Sequence, residues 1–575
     1  MEQTSCSEAS CPSPSRAEVM EVTSASESMS EHPNRGRGRG RRGGRGTAAS
    51  SRNPPKPKAA IHKPRGRRKK ASSVRPLPPN PDNGMEATTS ESEETRRIAA
   101  ATKRTQAWCS KAGEVTSSDE LETAAATSHS QNVPDTSGLF AYATWLMHLL
   151  TDTQRQSLTS HFTWMDLCAG LGTPIIVYEA LRRALLPFNL SLDGTCTGLT
   201  EMNDSRREAL RRRTVHAPND PPIFKSNSEL SSRTPKDDRG NIHDIPIAKL
   251  LFMGIVCVDI SGCTSTPKSL TDQGGATGQC WLAFLDYLDL LTFDERPLAI
   301  VLECVDKLNH NRNLAGRVEK GTLVVIEALK ERGYVGQWRK VSATNFFLPQ
   351  RRPRVWGLFL KVRGGMGPKA VKMRERDLEK AFDFIQKSQT QCHEPLQKIL
   401  SRTPEAYAHR PTQQHGGGQA WRTTQGPNFQ AKHGLSDEEV EVGRADFDLA
   451  TTDVLKPRQQ AAVWLQLCRL RKTGRIPNWK AGVLVSDCGS SVDWLSVTKD
   501  VFPCVRPGCS YLIFEDGKPK RASGPVCLAM QGIGKDEADS FGLLLEEDSL
   551  LRQLAGNAFC ANICLVFLVA ALLHG

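Results

Sequence analysis

Between residues 162 and 362 the chain alternates short, continuous apolar runs with stretches of helical period, and nothing else in the sequence constrains its fold so tightly. HFTWMDLCAGLGTPIIVYEALRRALL (His161–Leu186) reads as a strand, a glycine-containing turn and an amphipathic helix. TCTGLTEMNDSRREALRRR reads as a second strand ending at Glu201, followed by a helix. KLLFMGIVCV (Lys249–Val258) is apolar throughout, as a strand buried on both faces must be. CWLAFLDYLDLL, PLAIVLECV and GTLVVIEALKERGY continue as helix, strand and helix, and WRKVSATNFFLPQRRPRVWGLFLKV reads as two strands around a Pro-Gln-Arg turn. Such alternation predicts an α/β, Rossmann-like parallel sheet with helices on both faces. LFAYATWLMHLL (Leu139–Leu150) predicts a helix packed ahead of the sheet, and His216–Arg239 an inserted loop.

The rest of the 575 residues divides by composition. Residues 1–134 are rich in Ser, Glu, Gly, Pro and basic residues and cannot bury enough apolar surface to offset chain entropy, so they are expected to be disordered. Arg35 to Arg75 holds 16 basic residues and no acidic one, which leaves a body of 60 basic against 63 acidic residues. A nearly neutral body with a basic arm excludes a wholly basic nucleic-acid coat. Within the arm, RGRGRGRRGGRG (with Arg35, Arg37 and Arg39) and KPRGRRKK (with Arg65 and Arg67) suit contact with a phosphate backbone or a narrow minor groove. The first tract is also an RNA-binding composition, and the second reads as a nuclear localisation signal. Residues 135–363 form the strand–helix body, 364–520 a more irregular region, and 521–575 a segment that regains apolar pattern.

No C-x-x-C occurs among the 17 cysteines, which gives a zinc site little support and points to free thiols in a reducing, intracellular compartment. The apolar run Phe559–Leu573 falls short of a bilayer span and is interrupted by Asn562, so it predicts a buried element rather than a membrane anchor.

In open α/β sheets ligands bind beyond the carboxyl ends of the strands. Four reactive groups fall at such ends. They are the turn Asp166-Leu167-Cys168-Ala169-Gly170-Leu171-Gly172-Thr173, then Glu201, Cys257 and Glu303. Cysteine is often only a core thiol. A carboxylate directly after PLAIVL, however, is costly to bury without a partner, and two arginines, Arg352 and Arg354, fall near a third strand end.

This order of glycine turn, acid, Cys, Glu and Gln-x-Arg-x-Arg resembles the cytosine-5 DNA methyltransferases, over about 162–362 and again over about 521–573. DLCAGLGT looks like that family's S-adenosylmethionine (AdoMet) turn, LTEMND like its ribose-binding acid at Glu201, and His243-Asp244-Ile245 like its adenine-contacting acid at Asp244. GIVCVDIS is similar to the nucleophile motif at Cys257 and Ser261, LECV to Glu-Asn-Val at Glu303, and PQRRPR to the motif of Gln350, Arg352 and Arg354. CLAMQG and LAGNA, with Asn557 and Ala558, resemble the last two motifs, the final one returning to the AdoMet pocket.

The resemblance implies a catalytic AdoMet-binding domain over 135–363, a target-recognition region over 364–520 and a C-terminal segment folding back onto the first. It also implies methylation of cytosine carbon-5 in double-stranded DNA, with no metal. Cys257, Glu303, Arg352 and Arg354 would be catalytic, the thiol needing a lowered pKa. Asp166, Cys168, Gly170, Leu171, Gly172, Glu201, Asp244, Asn557 and Ala558 would bind the cofactor, and Ser261 and Gln350 the substrate. The chain departs from the family at Val256 and Val258, which flank the nucleophile in place of Pro and Gln, at Cys168 in place of an aromatic residue, at Thr173 for a glycine and at Cys304 for an asparagine. A tRNA methyltransferase on the same fold and a non-catalytic binding protein are the alternatives.

Overall fold

A computed structural model describes residues 138–575 apart from 216–218, 262–266, 315–316, 364–366, 391, 404–425, 448–456, 477–481, 490–494 and 516. The basic arm, with Arg35, Arg37, Arg39, Arg65 and Arg67, lies outside the described residues.

Helices α1 (Leu139–His148) and α2 (Asp152–Ser157) lead into β1 (Phe162–Leu167). There follow α3 (Thr173–Leu185), β2 (Gly194–Thr200), α4 (Asp204–Thr214), β3 (Ile223–Phe224), β4 (Leu250–Gly254), α5 (Ala276–Leu290) and β5 (Ala299–Val305). A hairpin of β6 (Asn311–Leu314) and β7 (Arg317–Lys320) precedes α6 (Gly321–Glu331), β8 (Tyr334–Ser342) and β9 (Pro353–Lys361). Seven strands form one sheet in the order β3-β2-β1-β4-β5-β9-β8. The expected Rossmann-like sheet is present, with two corrections. β9 runs antiparallel to both of its neighbours, because β8 reaches it by a connection too short for a crossover. The segment expected as an inserted loop supplies the edge strand β3, whose two residues are too few to show a period.

The sheet is doubly covered, and the residues of its central strands alternate between two cores. Phe162 and Trp164 of β1, Phe252 of β4, Val301 of β5 and Trp356 of β9 face one core, which also holds α1 and α3. Met165, Leu251, Ile300 and Phe359 face the other, with Trp281 and Phe284 of α5 and Val325 of α6. This two-sided burial is why the strands read as unbroken apolar runs. β1 and β4 lie side by side where the strand order reverses, the position at which such sheets bind ligands.

Helix α7 (Pro368–Lys387), beyond the expected boundary at 363, packs on β8, so the body continues past that point. α8 (Leu396–Arg402), α9 (Gly426–His433), α10 (Asp437–Phe447) and α11 (Pro457–Lys472) follow. A four-stranded antiparallel sheet is built from β10 (Val483–Asp487), β11 (Val497–Lys499), β12 (Tyr511–Glu515) and β13 (Lys518–Arg521). Val483, Val485, Tyr511 and Ile513 point into the main core, whereas Leu484, Leu512 and Phe514 pack under α9 and α11. The period of two thus lets one small sheet join both clusters.

α12 (Gly524–Ala529), α13 (Lys535–Ser540), α14 (Asp548–Asn557) and α15 (Ala561–His574) close the chain. α15 is the expected buried C-terminal element. Ala561 to Ala571 are all buried, and the helix packs on α1, α3 and α7. Among the described residues no single helix is long and apolar enough to cross a membrane.

Candidate active site

The turn after β1 is built from left-handed residues: Cys168, Gly170 and Gly172 have φ of 60°, 55° and 76°. This conformation is easy for glycine and costs a side-chain residue such as Cys168 about 1 kcal/mol or more. Three bonds hold the turn to the end of β2, the first from the Ala169 amide to the Thr200 carbonyl at 2.7 Å. The Cys168 amide donates to Thr200 Oγ1 at 2.8 Å, and the Gly170 amide donates to Glu201 Oε2 at 2.9 Å. Glu201 also accepts from the Asn203 amide through Oε1 at 2.9 Å, so it sits at the strand end as expected and organises the turn itself. Asn557 reaches the turn from α14, and a Cβ on Gly170 would lie 3.2 Å from its carbonyl oxygen.

Several expected cofactor contacts are placed differently. Asp166 is 0% exposed beneath the turn, and neither carboxylate oxygen has a hydrogen-bond partner. Burial, with Glu201 nearby, holds its carboxyl well above the usual carboxylate range. The Leu171 side chain is likewise in the core and leaves only its backbone to a ligand. Asp244 is exposed, after the edge strand β3. What the turn does offer is the backbone at the start of α3, where Pro174 has no amide and the Ile175 amide is bonded to the Gly172 carbonyl at 3.0 Å, beside a carboxylate at the next strand end. That pairing fits the anionic and hydroxyl-bearing ends of AdoMet.

β4 ends at Gly254, earlier than expected, so Cys257 stands in the following loop rather than on the strand. The Ile255 amide donates to the Glu303 carbonyl at 2.9 Å, which starts this loop against β5. The Cys257 carbonyl then accepts from Ser261 at 2.8 Å and Ile260 at 3.1 Å, closing a turn. Asp259 fixes the turn to α5. Its Oδ2 accepts the Thr277 amide at 2.8 Å, and its own amide donates to Thr277 Oγ1 at 3.1 Å. Cys257 is partly exposed, whereas the Cys304 thiol is fully buried.

Glu303 is held by Arg354, whose Nε donates to Oε1 at 2.9 Å with both side chains largely buried. Strand register explains the pairing: Val305 lies opposite Arg354, which makes Glu303 its diagonal neighbour. Arg352 precedes β9 and does something else. Its Nη1 donates to the Val505 carbonyl at 2.6 Å, and its Nη2 donates to the carbonyls of Ala558 at 2.9 Å and Gly556 at 3.4 Å. Arg352 is therefore a staple across three segments, while its charge still acts to lower the Cys257 pKa. The substrate contact expected of Gln350 is corrected: it is 0% exposed, and its Nε2 donates to the Met530 carbonyl, anchoring the CLAMQG segment rather than facing substrate.

One residue that the sequence did not single out joins the cluster. Cys504 lies in the loop after β11, which is stitched to the Pro349–Arg351 segment by Phe502 (amide to Pro349 carbonyl, 2.6 Å; carbonyl from Arg351 amide, 2.8 Å). Its Sγ is 3.4 Å from Arg354 Nη2 and 3.9 Å from Arg352 Nη1. Burial pushes the Cys504 thiol up, but Arg354 and Arg352 outweigh it, so its pKa falls below that of an ordinary thiol. Cys257 goes the opposite way. Burial and the Glu303 charge raise its pKa despite the two arginines, so the expected lowering is not found. The positive charge of Arg354 is already shared between Glu303 and Cys504.

The fold thus brings Cys257, Glu303 and Arg354 together beside the turn at the switch between β1 and β4. It leaves Gln350 and Arg352 as supports behind them. Among the described residues no group of three His, Cys, Asp or Glu side chains could hold a metal ion.

Residues 214–460 match the sequence profile of the C-5 cytosine-specific DNA methylases. No curated protein matches the chain. Among solved structures it is similar to a Dnmt2 methyltransferase of S. pombe, with 12% identity, 72% of this chain and 98% of that one covered, and a TM-score of 0.37. A putative DNA modification methyltransferase of an E. coli prophage gives 12% identity, 71% and 98% coverage, and 0.37. A DNMT2 mutant of Spodoptera frugiperda gives 11%, 72% and 99%, and 0.35.

Proposed function

We propose that this chain, which carries a C-5 cytosine-specific DNA methylase domain over residues 214–460, methylates cytosine carbon-5 in double-stranded DNA through a covalent bond to Cys257. The observation that carries the reading is the Arg354-clamped Glu303 beside the Cys257 loop, at the mouth of the β1–β4 switch. AdoMet, the methyl donor of this family, supplies an electrophilic methyl group when bound. The backbone at the start of α3 would hold its carboxylate, and Glu201, which keeps lone pairs beyond its two backbone contacts, would hold its ribose.

Carbon-5 of cytosine is a poor nucleophile. Cys257 Sγ bonds to carbon-6 and pushes electron density to carbon-5. Glu303 shares a proton with N3, which removes the negative charge otherwise building on the ring, and Arg354 keeps its carboxyl aimed. After methylation the carbon-5 proton leaves and the thiolate departs. The raised Cys257 pKa gives a resting thiol that ionises at the moment of attack. Because the target atom is hidden in the base stack, the nucleotide must be extruded, at a cost of a few kcal/mol.

The DNA reading is supported by the basic arm, which suits phosphate contact and nuclear targeting, and by the small sheet with its helices, which we assign to duplex binding. Parallel methyl-transfer reactions on duplex DNA and on tRNA, with labelled AdoMet, test it. Label in DNA is expected; label in tRNA alone overturns the substrate assignment.

A further inference from the structure

The two thiols nearest the cofactor turn have no part in the reaction above, and they touch each other. Cys168 Sγ, in the turn, lies 3.3 Å from Cys280 Sγ, in the second turn of α5, and both residues are partly exposed. A polar network holds the pair in register. The Asn227 amide donates to Cys280 Sγ and to the Cys280 carbonyl, each at 3.3 Å. Its Oδ1 accepts from Thr200 Oγ1 at 2.7 Å, the hydroxyl that also receives the Cys168 amide.

The pair also joins the two halves of the active site. α5 carries Thr277, which grips Asp259 of the nucleophile loop, while Cys168 belongs to the turn that lies beside Glu201 and Asn557. Val256, just before the nucleophile, gives Cys280 a backbone hydrogen bond that a proline there could not donate. The two sulfurs are electrostatically unequal. The Cys168 contact and the Val256 amide hold Cys280 below an ordinary thiol against the effect of burial, whereas the Cys280 contact and burial hold Cys168 well above one. Cys280 is therefore the more readily ionised and more nucleophilic sulfur.

We propose that Cys168 and Cys280 are a peroxide-sensitive modification site, whose disulfide ties the cofactor turn to α5 and shuts AdoMet out. The Cys280 thiolate attacks hydrogen peroxide: an S–O bond forms, the O–O bond breaks, and hydroxide leaves and is protonated to water. Cys168 then attacks the resulting sulfenic sulfur, forming the S–S bond as the S–O bond breaks and a second water leaves. Two thiols and one peroxide give one disulfide and two waters, the sulfurs losing two electrons that the peroxide gains. The sulfurs must close from 3.3 Å to about 2.05 Å, and the turn, already in a left-handed conformation at Cys168, has to shift toward α5. The effect on the cofactor rests on reading this turn as the AdoMet cradle.

The test treats the reduced full-length protein with hydrogen peroxide, blocks the remaining thiols, maps disulfides by peptide mass spectrometry and measures AdoMet binding by calorimetry. The expected result is a Cys168–Cys280 linked peptide with AdoMet affinity about tenfold weaker or worse, both reversed by dithiothreitol. Cys280→Ala and Cys280→Ser should bind AdoMet as the wild type does and keep that affinity after peroxide. Absence of the linked peptide overturns the proposal, and so does a linked protein of unchanged affinity. Failure of the reduced protein to bind AdoMet would instead overturn the cradle reading, and the linked peptide alone would then decide whether the site exists.

Discussion

Arg354 Nε donates to Glu303 Oε1 at 2.9 Å, while the Nη2 of the same guanidinium lies 3.4 Å from Cys504 Sγ. One cation therefore serves a carboxyl that must be aimed and a thiol that competes for its charge. Removing the cation leaves a largely buried carboxylate without its ionic partner. Arg354→Ala is expected to lower kcat by roughly 100-fold while AdoMet affinity stays within about threefold. Glu303→Gln is expected to retain DNA binding and lose most turnover. Steady-state kinetics with binding titrations check both; unchanged turnover in Glu303→Gln would make that residue structural only.

The pH dependence follows from the two opposed thiols. Because burial and Glu303 raise the Cys257 pKa, its thiolate is scarce near pH 7 and grows as pH rises toward that pKa. Adduct formation should therefore accelerate by about tenfold per pH unit between roughly pH 7 and 9. Cys504→Ser removes the thiol that shares the charge of Arg354, freeing positive field for Cys257, so the rise should move to lower pH. Trapping rates across the pH range read both effects, and an unmoved profile in the variant would remove Cys504 from the charge balance.

Gly556 is needed for a close approach of backbones. A Cβ there would fall inside the backbone of Arg506 and Pro507, at the crossing that Arg352 staples through Val505 and Ala558. Gly556→Ala is expected to destabilise the fold by about 2–3 kcal/mol, seen as a lowered midpoint in denaturant unfolding.

Deletion of residues 1–76 removes the basic arm. Non-specific DNA binding should weaken and its logarithmic salt dependence flatten, with methyl transfer on short, saturating duplex largely intact. Binding titrations at several salt concentrations check this, and an identical slope would exclude the arm from DNA contact.

The central strands were legible in the sequence because each is buried on both faces. Phe252 and Met253, for example, are adjacent yet enter different cores. The edge strand Ile223–Phe224 and the hairpin β6–β7 were not, since two or four residues carry no usable period. Among the site residues, spacing leads to Cys257 and Glu303 on neighbouring strands, and the structure sets Glu303 within β5 and Cys257 in the loop three residues past β4. Spacing makes Arg352 and Arg354 look equivalent, and only register separates them: Arg354 lies within β9, diagonal to Glu303, whereas Arg352 precedes the strand and turns toward carbonyls. Cys504 is some 150 residues distant from Arg354 and enters the site through loop stitching that no local pattern announces.

The account depends most on Cys257 bonding to carbon-6 of an extruded cytosine. Incubating the protein with AdoMet and a duplex containing 5-fluorocytosine, then resolving denatured products by mass, tests this directly. The wild type is expected to give a covalent protein–DNA adduct at Cys257 and Cys257→Ser none. A wild type that binds the duplex and AdoMet yet forms no adduct would contradict it.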